Sequence, residues 1–226
     1  MTTPPRTGGG FSASQLAKSD IDRVAEAHQR EIFNNLRVLA EKLYRRNPRE
    51  FRKSGRSSGE NAVARIFDEF HSWDFPELQG RRGAAALQLA FSEDYAGDRV
   101  LALVAGLGSM IQTAFQDKTE FFVFDDLYPQ SLYNAARNVE IAVWKLSNNR
   151  NRAGELFLLS NEAAGAAANL SFEREFGKII ASLDILSKIV ADKSGRAVVT
   201  STVHVLNQHG TEVMTYVAKR LLAGKP

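Results

Sequence analysis

Two adjacent carboxylates, Asp125 and Asp126, follow the aromatic residues Phe121, Phe122 and Phe124 in the stretch TEFFVFDDLYPQSLYNAARN. A carboxylate pair performs acid–base chemistry when both groups reach one point in different protonation states. Neighbouring residues meet that need poorly. On a helix they point about 100° apart, and on a strand they face opposite sides. Pro129, just downstream, suits the first turn of a helix, where its missing N–H costs nothing. An aspartate ahead of it can accept from exposed N–H groups and complement the positive helix end. Asp126 is therefore expected to cap or precede a helix, and the three phenylalanines are expected to pack inward.

The other chemical candidates are sparse. The four histidines are His28, His71, His204 and His209. His204 and His209 are five apart, whereas zinc ligands sharing a helix face sit at i and i+4. His28 falls on an apolar helix face, where it reads as a packed boundary residue. Ser201 and His204 stand at i, i+3, close enough to touch on a helix, but no oxyanion-hole motif accompanies them. Glu140, Glu162 and Glu173 have no histidine at the Glu-x-x-His offset of a di-metal bundle. GLG at 106–108 does not extend to a dinucleotide fingerprint, and phosphate-loop, HExxH and nucleophile-elbow motifs are absent. The chain has no cysteine, so disulfides and thiolate ligands are excluded. The reading leans away from an enzyme and assigns no catalytic, cofactor-binding or metal-ligating residue. A ligand-binding protein or enzyme with a pocket near Trp73, Asp125 and the C-terminal histidines stands as a competing reading.

Charge is uneven along the 226 residues, whose net is +3. Residues 37–56 hold Arg37, Lys42, Arg45, Arg46, Arg49, Arg52, Lys53 and Arg56 against Glu41 and Glu50 alone, a local net of +6. Arg45, Arg46, Arg49, Arg52, Lys53 and Arg56 are the candidate contacts for an acidic protein, an anionic membrane surface or a nucleic acid. Tyr44 and Phe51 interleave with them, as stacking groups would.

These residues need helices to position them. Ile21, Val24, Ala25, His28, Ile32, Leu36, Leu39 and Leu43 recur at three and four from SDID onward, which predicts a long helix ending before Asn47-Pro48. Residues 47–61 read as a polar connection with room for one helical turn, and Ser57 or Ser58 can cap the next helix. That helix carries Val63, Ile66, Phe67 and Phe70 on one face. HSWDFPELQGRRG reads as an irregular loop, and AAALQLAF as a short helix. VLALVAGLGSMIQTAF, residues 100–115, is an uncharged run of sixteen, shorter than the ~20 residues that span a bilayer. It reads as a buried central helix, with Ala105, Gly106, Gly108 and Ser109 admitting a close neighbour. Leu132, Ala136, Val139, Val143 and Leu146 form one heptad-like seam, and Phe172, Phe176, Ile179, Leu183, Leu186 and Val190 another. These seams suit antiparallel bundle packing or a homodimer. GELFLLSNEAAGAAANLS between them reads as helix, as does the β-branched C-terminal piece, for which a strand at 197–206 is the alternative.

The expected fold is all-α: one domain over 14–226, a bundle of about seven or eight helices around 100–115. Residues 1–13, MTTPPRTGGGFSA, read as a flexible tether. This segment resembles the start of a mature bacterial lipoprotein beyond its acylated cysteine, a cysteine this chain lacks. The expected function is a non-catalytic interaction or scaffold domain without cofactor. Its expected place is the bacterial envelope, periplasmic or membrane-tethered, with the cytoplasm as alternative. A nucleic-acid-associated helical protein using 37–56 is the main rival.

Overall fold

The computed structural model describes residues 20–69, 71–122, 126–161, 169–199, 205–206 and 212–214. Seven α-helices lie among them: α1 Asp20–Arg46, α2 Pro48–Lys53, α3 Gly59–Phe67, α4 Gly83–Ala90, α5 Arg99–Ala114, α6 Pro129–Asn148 and α7 Ser171–Ser194. The all-α expectation holds.

Helix α5 is buried nearly all round: thirteen of its sixteen residues are buried, including Val100–Ser109 without a break. It touches α1, α2, α3, α4 and α6. A helix apolar on every side has to be enclosed in this way. Around it, α7 lies between α1 and α6. Lys42 near the end of α1 reaches Ser171 and Glu175 at the start of α7, so those two helices run antiparallel. Ser187 Oγ donates to the Pro129 carbonyl and Arg137 reaches Asp184, which sets α6 antiparallel to α7. Both heptad-like seams face into this layer. Leu132, Ala136, Val139 and Leu146 are buried, as are Phe172 to Val190 along the second seam.

The small residues of α5 let neighbours approach. A side chain at Gly106 would meet the Leu87 backbone nitrogen of α4 at 2.8 Å. Ser109 Oγ accepts from Gly83 N at 2.8 Å and donates to Ala105 O. Ser58 caps α3 by accepting from Asn61 N at 3.1 Å, and Ser57 Oγ accepts from the Asn61 side chain.

Two helical expectations are corrected. Residues 154–161 are not helical, because Asn151 Oδ1 accepts from both Ala153 N and Glu155 N in an Asx turn and Gly154 takes φ +80°. The chain then runs back so that Arg150 bridges Leu156. At the C-terminus, Val205–Leu206 and Glu212–Met214 form two short antiparallel strands, β1 and β2, with Val205 opposite Met214. β-branched residues favour strand over helix there. Ser19, Phe70, Phe124, Asp125, Ser201, His204, His209 and the 1–13 tether lie outside the described residues.

Candidate functional site

The basic segment is built onto the core through the N-terminus of α5. Asp98 caps that helix, its Oδ1 accepting from Leu101 N at 2.9 Å. Its other oxygen accepts from Tyr44 Oη at 3.0 Å and Ser54 Oγ at 3.1 Å. Glu50 of α2 accepts from Arg99 N at 2.7 Å and from Lys53 Nζ at 2.7 Å. Orphan N–H groups at a buried helix start need such acceptors. Burial pushes the Asp98 carboxyl above the usual carboxylate range and the Tyr44 phenol well above its ordinary value. Tyr95, beside Asp98 and also desolvated, is pushed up to about 12. The Arg99 guanidinium donates to the carbonyls of Leu89, Ala90, Ser92 and Tyr95 and lies 4.8 Å from the Phe157 ring centroid. Burial lowers its affinity for its proton. This hub fixes α2 against α5.

Internal partners neutralise part of the segment's charge. Arg37 makes a two-point bond to Asp68, at 2.5 and 2.9 Å. That pair raises the arginine's pKa and lowers the aspartate's. Lys42 pairs with Glu175 at 2.8 Å, and its hydrogen bond holds that carboxyl below its usual range. Lys53 is taken by Glu50. Arg46 is half-buried and has its own interactions, and Arg56 is half-buried with its Nε out of contact with water. Arg45, Arg49 and Arg52 are exposed, and none makes an ion pair among the described residues. Arg52 rests 5.7 Å from the Phe51 ring centroid.

Arg45 borders a half-open cleft of about 510 Å³ between α1, α2 and α3, while Arg49 and Arg52 follow its lining residues Pro48 and Phe51 along α2. Tyr44, Phe51 and Val63 supply its apolar surface, with Phe51 edge-on to Tyr44 at 6.3 Å. Arg37 and Arg45 line it together with the carboxylates Glu41 and Glu60. Gly59 keeps α3 close to Tyr44, where a side-chain carbon would stand 3.1 Å from the tyrosine Cβ. The apolar surface of the cleft suits a peptide that brings an apolar side chain.

Asp126 precedes α6, one of the two outcomes expected of it, but the expected helix cap is corrected. Tyr128 is the cap residue of α6 and makes no side-chain cap bond, while Pro129 holds the first position. Asp126 stands two residues earlier, exposed, paired with Arg196 at 3.4 Å, and its backbone carbonyl accepts from Gln116. Phe121 is buried against Phe115, with centroids 6.0 Å apart, and Phe122 is half-buried. His28 is half-buried on α1. Glu140 pairs with Arg137. Among the described residues no group of three or more His, Asp or Glu is placed to hold a metal ion.

Sequence reasoning missed the Asp98 hub. Asp98 stands at the N-terminal flank of the uncharged run 100–115. Its position directly before that run was the available signal for a helix cap. No protein family, curated protein or solved structure matches this chain. No described helix is long and apolar enough to cross a membrane.

Proposed function

We propose that this chain is a non-catalytic helical interaction domain that docks an acidic segment of another protein along Arg45, Arg49 and Arg52. An apolar side chain of that segment enters the cleft between α1, α2 and α3. The observation that carries the reading is an exposed arginine, Arg45, at the edge of a cleft with Tyr44, Phe51 and Val63 in its lining, with Arg49 and Arg52 exposed on the adjoining α2, none of the three in an ion pair among the described residues. The short helix that presents Arg49 and Arg52 is anchored by Glu50 to a buried hub, so the arginines are offered from a fixed base. Nucleic acid is the weaker reading, because Arg37, Lys42 and Lys53 are already paired internally, which shortens the cationic track, and the cleft seats an apolar side chain. The envelope placement is part of the proposal. It is supported by the Thr, Pro and Gly composition of 1–13, and fractionation of the native chain tests it. Recovery in the cytosol alone would overturn that placement.

The binding test is a titration with a fluorescent glutamate-rich peptide carrying one phenylalanine, beside single-stranded DNA of equal charge. The peptide binds with the higher affinity and weakens with salt. Reversing Arg45, Arg49 and Arg52 to glutamate lowers its affinity by about tenfold or more. Tighter binding of DNA than peptide, or an unchanged affinity in the triple variant, would sink the reading.

A further inference from the structure

The second cleft along α1 and α3 has a different character. It measures about 240 Å³, opens to solvent, and is walled by Phe33, Phe67, His71 and Trp73. That is below the ~300–1,000 Å³ typical of drug-sized pockets, so the fitting occupant is small. Trp73 and Phe67 meet at 86° with centroids 6.0 Å apart, making a corner of two ring walls. Phe33 stacks on Trp73 at 5.5 Å and His71 stands edge-on to it at 5.4 Å.

The charge in this cleft has one sign. Its lining carboxylate, Glu69, is exposed and makes no ion pair among the described residues. His71 Nδ1 accepts from Trp73 N at 2.8 Å, which leaves Nε2 to carry the proton toward Ile66 O at 2.6 Å. That arrangement is the neutral imidazole. Arg37 sits 5.7 Å from the Phe67 centroid without lining the cleft, so that ring already takes a cation on its outer side. Aromatic faces around one carboxylate attract cations whose charge is spread and weakly hydrated.

The loop is held there at a cost. Ser72 and Trp73 both adopt left-handed backbone, at φ +47° and +60°. Such conformations in residues with side chains cost of order 1 kcal/mol or more and gather at binding sites. The indole is seated against Gly108 of α5, where a side-chain carbon would fall 2.2 Å from the ring.

We propose that the Trp73 cleft binds a small organic cation of the quaternary-ammonium class, with Trp73, Phe67 and Phe33 as its aromatic walls and Glu69 as its counter-charge. The probe is choline, titrated into the full chain by calorimetry and ligand-observed NMR. The comparison ligand is 3,3-dimethylbutanol, in which carbon replaces the charged nitrogen. Choline binds saturably in the millimolar range, and the neutral isostere binds about fivefold more weakly. Glu69→Gln, a surface change that leaves the fold intact by circular dichroism, weakens choline by about two- to fivefold. Phosphatidylcholine vesicles separate the two sources of this chemistry. Co-sedimentation that choline competes away assigns a lipid head group, and choline binding without co-sedimentation assigns a free cation. Equal affinity for the isostere, no saturation with choline, or an unchanged constant in Glu69→Gln each overturns the proposal.

Discussion

At its N-terminus α5 meets acids, hydroxyls and a guanidinium whose hydrogen bonds are closed, and toward its C-terminal half it meets an aromatic loop in left-handed backbone. The same helix is therefore held in two ways. At Asp98 the donors of Leu101, Tyr44 and Arg99 each have an acceptor. At Trp73 the rings are half-buried, the Glu69 carboxylate makes no ion pair among the described residues, and backbone strain is retained. Satisfied polar networks rigidify a fold, whereas strain and unpaired groups mark places where something else completes the structure. The contrast separates the end that anchors the arginine-bearing α2 from the end that carries the aromatic cleft.

Asp98→Ala tests the anchored end and carries the largest expected effect. It removes a helix cap and leaves the buried Tyr44 hydroxyl without its acceptor, while the half-buried Ser54 hydroxyl keeps the Phe51 carbonyl. Together these losses amount to about 3–4 kcal/mol. Asp98→Asn keeps one of the two acceptor oxygens, enough for the cap to Leu101 N, and costs about 1–2 kcal/mol at the Tyr44 side. Urea unfolding reads both, and an asparagine cost equal to the alanine cost would show that charge, rather than hydrogen bonding, holds this end. The pH dependence has a definite sign. Burial raises the Asp98 pKa in the folded state, so its favourable contribution is present in acid and is lost as pH rises through the folded value. The asparagine does not titrate, so its cost shrinks from acid to neutral pH.

Gly108→Ala tests the aromatic end and ranks second. The new carbon would fall 2.2 Å from the Trp73 ring, so the indole must leave its seat. Overpacking costs about 1–3 kcal/mol and outweighs the gain of about 1 kcal/mol from replacing a helical glycine. Tryptophan emission in a Trp144→Phe background would shift toward that of exposed indole. Thermal unfolding of an unchanged or stabilised Gly108→Ala variant would show that Trp73 is not seated on α5.

What could be read from the sequence depended on range. The seams of α6 and α7, the burial of α5 and the stop of α1 before Asn47-Pro48 follow from periodicity and local stereochemistry, and the structure has them. The Ser58 cap is equally local. Ion pairing was invisible in a count of charges, because Arg37 meets Asp68 thirty-one positions away and Lys42 meets Glu175 at 133. The +6 of 37–56 thus overstated what the surface presents. Apolar content suggested helix at 154–161, yet Asn151 and Gly154 redirect the chain through one turn. Asp126 looked like a cap from its place before Pro129, but it pairs with Arg196, seventy residues on. The Trp73 cleft needs residues from α1, α3, α5 and the intervening loop, so composition alone could name the tryptophan but not its neighbours.

The smallest predicted effect separates strain from packing at the aromatic end. Ser72 is exposed and left-handed at φ +47°, so its side chain adds little packing while its backbone bears a steric cost. Glycine adopts that conformation without penalty but loses more freedom on folding. Ser72→Gly should therefore stabilise the fold by about 0.5 kcal/mol, seen as a small rise in the urea midpoint with an unchanged slope. The same change at Trp73 would remove the ring and confound the two causes. Any loss of stability in Ser72→Gly would mean that the serine side chain itself holds the loop, and the strain would then have to be assigned to Trp73 alone.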